Sequence, residues 1–194
     1  MKFSCEKYLI QQAVAIASRS TASKSPIPAL EGLLIEAGQS VKITGYDLKK
    51  GVYTSFPADV AEPGAIVLNA KLFGEIVRSL PDGIVNVSVD GMKTSINCGA
   101  SDFTVLGTDS GEYPELPAVD RQNAVSIPQN ILGKMIRQTI FAVSDNESRP
   151  VYTGALFDIK AGTLTIVAVD GYRLALRRES IEAGTAEDCT FIAP

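Results

Sequence analysis

Seven basic side chains, Lys7, Arg19, Lys24, Lys71, Arg78, Lys134 and Arg137, stand in three segments (7–24, 70–80 and 128–143) that hold a single acid, Glu75. Those segments sum to +6 in a chain whose net charge is −4, so the remainder carries −10. Cations sorted away from acids suit the phosphates of a polyanion, which are bound without their sequence being read. Ordinary solvated helix faces carry the same residue types, and the local pattern leaves both readings open. Other chemistries fall away. The 194 residues include no histidine, which removes Ser-His-Asp and Cys-His nucleophile pairs and histidine-based zinc sites. Cys5, Cys98 and Cys189 are far apart, odd in number and form no CxxC pair. The carboxylates are scattered rather than coupled, and no glycine-rich dinucleotide or phosphate-loop motif occurs. The expectation is a binding protein rather than an enzyme, with no catalytic residues, no metal and no cofactor.

The elements that must carry these cations are amphipathic helices. Leu132, Met135, Ile136, Thr139, Ile140 and Val143 recur at i, i+3, i+4, with Asn130, Lys134, Arg137 and Gln138 opposite and Pro128 suited to the first turn. A second helix turns Leu72, Phe73, Ile76, Val77 and Leu80 inward and Lys71, Glu75 and Arg78 outward. The first turns Leu9, Ala13, Ile16 and Ala17 inward and leaves Gln11, Gln12, Ser18 and Arg19 outside. Strands surround them: "GVYTSF", "IVNVSV", "KTSINC" and "FTVLG" alternate or run apolar.

A long repeat organises these elements. "PALEGLLIEAGQSVKITGYDL" from Pro28 and "PVYTGALFDIKAGTLTIVAVDGYRL" from Pro150 share an order. Each has proline, glycine four residues on (Gly32, Gly154), two apolar runs split by a glycine turn, and aspartate (Asp47, Asp170). A helix precedes each copy. A finer unit, a short strand followed by a helix, opens at "KFSCEKYLIQQAVAIAS", "AIVLNAKLFGEIVRSLP" and "AVSIPQNILGKMIRQTI", and "CTFIAP" reads as the opening strand of a fourth. Two such units make a domain of about 120 residues, within the usual range. The chain is 45% hydrophobic, enough for a sizeable core. "MKFSCEKYLIQQ" lacks the apolar centre of a signal peptide, and no run approaches a membrane span, so a soluble cytoplasmic protein is expected.

"MKFSCEKYL", "PIPALEGLLIEA" (26–37), "ITGYDL" (43–48), "RPVYTGALFDI" (149–159) and "VAVDGYRLALRR" (167–178) resemble the N-terminal half of the bacterial sliding clamp, the β subunit of DNA polymerase III. The resemblance runs along the whole chain. It implies an α+β DNA-clamp fold of repeated strand–helix–strands units, with helices lining a ring and sheets outside. It implies a complete first clamp domain in 1–123, the first half of a second in 124–194, and no third. The implied function is a processivity factor that encircles duplex DNA as a homodimeric ring and tethers the replicative polymerase. Double-stranded DNA, the polymerase III catalytic subunit, the clamp loader and other replication and repair proteins are the implied partners, with no membrane association.

The resemblance also implies sites. DNA-facing cations would be Lys24, Arg19, Lys71, Arg78, Lys134, Arg137 and Arg149. A pocket for short linear motifs would include Tyr152, Thr153, Gly154, Val169, Gly171, Tyr172, Arg173 and Leu174, its remainder lying in segments beyond residue 194. The edge strand joining two chains would include Phe103, Thr104 and Val105. Apart from the resemblance, "VAVDGYRLALRR" reads as a buried hairpin. The competing function is a truncated clamp-like adaptor that binds peptides or the clamp loader without encircling DNA.

Overall fold

The computed structural model describes residues 1–119, 124–181 and 188–194. The chain divides into two compact units, Met1–Pro117 and Ala118–Pro194. The expected domain boundary after residue 123 falls on residues outside those described.

In the first unit, strand β1 (Lys2–Glu6) runs directly into helix α1 (Lys7–Ala17), whose first N–H, on Lys7, donates to Gly83 O at 2.9 Å. The helix tightens into a 3-10 turn at Ser18–Ser20, and a second 3-10 turn, Pro28–Glu31, leads into β2 (Gly32–Ala37). Strands β3 (Val41–Tyr46), β4 (Gly51–Phe56), β5 (Asp59–Glu62) and β6 (Gly64–Asn69) follow. Helix α2 (Ala70–Ser79) is capped by Asn69, whose side chain accepts from Leu72 N at 3.0 Å. Strands β7 (Ile84–Asp90), β8 (Lys93–Cys98) and β9 (Ser101–Leu106) complete the unit. Two antiparallel sheets result, β5-β1-β7-β8-β9 and β4-β3-β2-β6. Phe73, Ile10, Val14, Leu33, Ile35, Ile43, Val85 and Ile96 meet in their shared core with the two helices.

The second unit repeats the second of these sheets. Helix α3 (Gln129–Thr139) is 11 residues long, as α1 is, and also tightens into a 3-10 turn, Ile140–Ala142. A 3-10 turn at Pro150–Tyr152 then leads to β10 (Ala155–Lys160), β11 (Thr163–Val169), β12 (Leu174–Ser180) and β13 (Cys189–Ala193). Their order, β12-β11-β10-β13, matches β4-β3-β2-β6 strand for strand. Met135, Ile159, Leu164 and Ile166 form the core beneath α3.

Four details differ from the sequence patterns, three in the helices and one in an expected strand. The buried stripe of α1 is Ile10, Ala13, Val14 and Ala17; Ile16 is exposed and Leu9 only partly buried. The helix packs on β3 and β4 on one side and on α2 on the other, and this places its phase one residue from the expected one. Leu72 is exposed in the first turn of α2, ahead of the stripe from Phe73 to Leu80. Ile140 is exposed because the 3-10 turn begins there and rotates it off the face that buries Met135 and Thr139. Residues 124–128 form no strand. Their counterpart β1 is held between β5 and β7, and among the described residues none pairs with 124–128.

Candidate functional site

The repeated aspartate builds the same turn twice. Asp47 Oδ1 accepts from the N–H groups of Lys49 (2.9 Å) and Lys50 (2.8 Å), and its own N–H donates to Lys50 O at 3.2 Å. Asp170 Oδ1 accepts from the N–H groups of Tyr172 (2.9 Å) and Arg173 (3.0 Å), and its own N–H donates to Arg173 O at 3.3 Å. Short polar side chains favour such turns because they satisfy backbone donors locally. The Tyr172 N–H, then that of Arg173, hold the Asp170 carboxyl below its ordinary range. The residue after each aspartate is left-handed: Leu48 at φ 71° and Gly171 at φ 94°. Glycine adopts that backbone without a Cβ penalty, whereas leucine does not.

The second turn presents an apolar ledge. Tyr172 is fully exposed and Leu174 is 64% exposed. Arg173 is tied back to Asp170 by Nε–Oδ2 contact at 2.6 Å, which leaves the tyrosine and leucine as the outward groups. Val169 is half-buried. Thr153 spends its hydroxyl on Pro150 O (2.9 Å), and Tyr152 is half-buried. Gly154 is buried where a Cβ would come within 2.5 Å of Ala193 O, so its smallness serves the pairing of β10 with β13. A cavity of about 180 Å³ touches Thr153 and Gly154, but its other walls include Ile136, Thr139, Ile140, Val143 and Phe157, on the helix side of the sheet. Tyr172 and Leu174 do not line it. The structure thus separates the expected pocket residues between the ledge and that cavity.

The seven expected DNA-facing cations, Arg19, Lys24, Lys71, Arg78, Lys134, Arg137 and Arg149, are all exposed, and none enters an ion pair among the described residues. Lys7, counted with the helical charge, is instead bound to Asp82 at 3.4 Å. In the first unit, α1 and α2 flank a groove lined by Gln11, Ser18, Thr21, Lys71, Gly74 and Arg78. In the second, Lys134 and Arg137 stand on the solvent side of α3.

Strand β9, which holds Phe103, Thr104 and Val105, is the outer strand of the five-stranded sheet, and among the described residues one side of its ladder is unpaired. Phe103 and Val105 lean on the core, while Thr104 and Leu106 face solvent. Leu106, 78% exposed, escaped the sequence reading because alternation in a short strand does not say which face is covered.

Residues 1–117 match the model for the DNA polymerase III beta subunit, N-terminal domain, and residues 126–194 match that for its central domain. The beta sliding clamp of Halalkalibacterium halodurans is 39% identical over 197 residues, covering 96% of this chain and 52% of the relative. That of Bacillus subtilis is 35% identical and covers all of this chain and 54% of the relative. The chain spans about half the length of the curated relatives it matches. Among solved structures, the B. subtilis DNA polymerase sliding clamp aligns with all of this chain and 54% of its own at TM-score 0.93 and 33% identity. The Thermotoga maritima DNA polymerase III beta subunit aligns with 98% of this chain and 52% of its own at TM-score 0.89 and 27% identity.

Proposed function

The chain belongs to the DNA polymerase III β-subunit family, and on that premise we propose that this protein works as a DNA sliding clamp. The carrying observation is that both units match the family, in order and at 35–39% identity to named clamps. The proposed activity is non-enzymatic: a cytoplasmic homodimeric ring encircles duplex DNA and holds the polymerase on it. The exposed, unpaired Arg19, Lys24, Lys71, Arg78, Lys134, Arg137 and Arg149 support contact with phosphates. Such contacts do not depend on base sequence and are screened by salt, as a sliding protein requires. Edge strand β9, with Phe103, Thr104 and Val105, is the proposed joining surface between chains. The clamp loader and other replication and repair proteins share the ledge with the polymerase. Gly171 forms its turn, Tyr172 and Leu174 supply its apolar surface and Val169 and Arg173 border it, while Thr153 and Gly154, with Tyr152 before them, are the proposed part of the site at the cavity on the helix side of the sheet.

The test is topological. After loading, the full-length protein is expected to stay on a nicked circular plasmid and to leave when the plasmid is cut to a linear form. Equal retention on both forms contradicts encirclement and favours an adaptor. In a separate titration Tyr172→Ala with Leu174→Ala is expected to weaken binding of a polymerase-derived clamp-binding peptide while the melting temperature is unchanged; unchanged peptide affinity contradicts the ledge assignment.

A further inference from the structure

Asp-Gly occurs three times, at 82–83, 90–91 and 170–171, and the fold treats the three carboxyls differently. The dipeptide carries a latent reaction. Glycine has no Cβ to shield its backbone nitrogen, so that nitrogen reaches the Cγ of the preceding aspartate. The N–Cγ bond forms, one carboxyl oxygen leaves as water, and a five-membered succinimide ring closes. Water then opens the ring at either carbonyl. Opening at the former main-chain carbonyl leaves the chain running through Cβ and Cγ, which is an isoaspartyl linkage. The water lost in the first step is regained in the second, and no oxidant, metal or co-substrate enters. Two conditions govern the rate. The carboxyl must be protonated, because a carboxylate does not expel its oxygen, and it must be free to turn toward the glycine nitrogen.

At Asp170 neither condition is met. Oδ1 accepts from the N–H groups of Tyr172 and Arg173, and Oδ2 meets Arg173 Nε at 2.6 Å. All three contacts favour the ionised form and hold the carboxyl toward residues 172 and 173. Asp82 is intermediate. It is exposed, with only a surface contact to Lys7 Nζ at 3.4 Å, while the Gly83 carbonyl is anchored by the Lys7 N–H at 2.9 Å. Asp90 has neither restraint. It is exposed at the end of β7, and among the described residues its carboxyl enters no hydrogen bond or ion pair. Gly91, at φ 56°, opens the two-residue turn to Lys93, and no atom lies within 4 Å of where its Cβ would be. The same turn holds the end of β9. Met92 O accepts from Gly107 N–H at 2.7 Å, and Lys93 pairs with Leu106. Beyond it, Thr108 is fastened separately to Val67 by two backbone hydrogen bonds, 3.0 and 2.9 Å.

We propose that Asp90 is a site of spontaneous isoaspartate formation, and that the modified turn releases the end of β9 at Leu106 and Gly107. The isoaspartyl linkage inserts one methylene next to a two-residue turn, where loop length fixes the register of β7 with β8. Met92 then moves away from Gly107, and the pairing of Lys93 with Leu106 loses its support. Thr108 confines the change to the segment before it. The carboxylate persists, now as a branch at Cα, so mass and net charge are unchanged. The aged chain differs from the fresh one only in shape, at the outer strand of the five-stranded sheet. The chemistry at Asp90 stands whether or not β9 joins two chains.

The experiment incubates the 194-residue chain at mildly acidic pH, folded and in urea. Isoaspartate is read with isoaspartyl methyltransferase and labelled S-adenosylmethionine, and is located by proteolysis and electron-transfer fragmentation. In the folded chain residue 90 is expected to convert at least about tenfold faster than residue 170, where charge-assisted hydrogen bonds must break first. In urea the three dipeptides react at similar rates, because only the fold separates them. Asp90→Glu keeps the charge but disfavours ring closure, and it removes the larger share of the signal from the folded chain. Thermal melting by circular dichroism checks that this variant is folded. In the modified fraction, separated by chromatography, the Gly107 N–H exchanges with deuterium about fivefold faster, the loss of one hydrogen bond, while Thr108 is unchanged. Conversion at residue 170 that equals or exceeds conversion at residue 90 in the folded chain overturns the proposal. So does a residue 90 that reacts in urea and not in the folded chain. Conversion at residue 90 with unaltered exchange at Gly107 overturns the release of β9.

Discussion

Gly45 under the end of α1 and Ala168 under the end of α3 occupy the same place in the repeat, yet they solve the packing differently. A Cβ on Gly45 would lie 2.0 Å from the carbonyl oxygen of Ala17, so helix and strand meet there backbone to backbone. Ala168 instead packs its methyl against Ala142 and Ala175. The turns differ in the opposite sense, because the first unit holds Leu48 in a left-handed conformation where the second has Gly171. The outer face of the first unit is covered by a strap, residues 108–117, whose Tyr113 sits against Leu30, Tyr46 and Val67. A shared topology therefore leaves the closeness of helix to sheet and the strain in the turn free to vary. Each of these follows from one or two residues.

The comparison breaks most severely at Gly45. Gly45→Ala forces a methyl into a main-chain oxygen that cannot rotate away, and is expected to cost about 3 kcal/mol or more. Urea unfolding measures that loss, and hydrogen exchange should place it in residues 1–117. A cost below 1 kcal/mol would mean that α1 shifts freely and that the two units are packed alike after all.

The strap gives a smaller effect with a pH signature. Burial pushes the Tyr113 phenol from its usual value up to about 12. The folded state therefore keeps this proton where the unfolded chain releases it. Its contribution is fully present below pH 10 and is lost as pH rises from 10 toward 12. Tyr113→Phe should cost about 1 kcal/mol at neutral pH through the lost hydrogen bond to Thr44 O. It should also remove part of the alkaline loss, read as a shallower decline in melting temperature between pH 10 and pH 12. Parallel declines in the two proteins would show that the strap does not bury this phenol.

The smallest effect sharpens the turn comparison. Leu48→Gly relieves a left-handed leucine but adds freedom to the unfolded chain, so a net gain of about 0.5 kcal/mol is expected. Gly171→Leu should lose stability by the same reasoning. Equal and opposite shifts in denaturation midpoint would establish the turns as equivalent, whereas a loss at Leu48→Gly would show that its exposed side chain contributes contacts of its own.

Much of this was legible in the residues. Proline, glycine and aspartate at matching offsets marked the repeat because each meets a local backbone need: a 3-10 start, a close strand approach and a satisfied turn. The helices were visible in their 3.6-residue stripes, although Ile16, Leu72 and Ile140 were assigned to the core and lie exposed. Periodicity defines a face only to within a residue, and the neighbouring elements choose the phase. The site was less legible. "VAVDGYRLALRR" showed a turn and an apolar flank, but not that Gly154 serves strand pairing or that the neighbouring cavity lies on the helix side of the sheet. Strand β5 also escaped, being short and polar, and it owes its place to pairing with β1.

The sequence by itself determined the local grammar: which segments coil, where they turn, and that the helical segments carry cations with a single acid among them. These depend on neighbours within a few residues. Only the tertiary structure decided what each face meets. Alternation places Leu34 on one side of β2. The strap from residues 108–117 covers that side. Burial is a property of the partner brought by the fold from far along the chain, and no pattern within a single strand contains it.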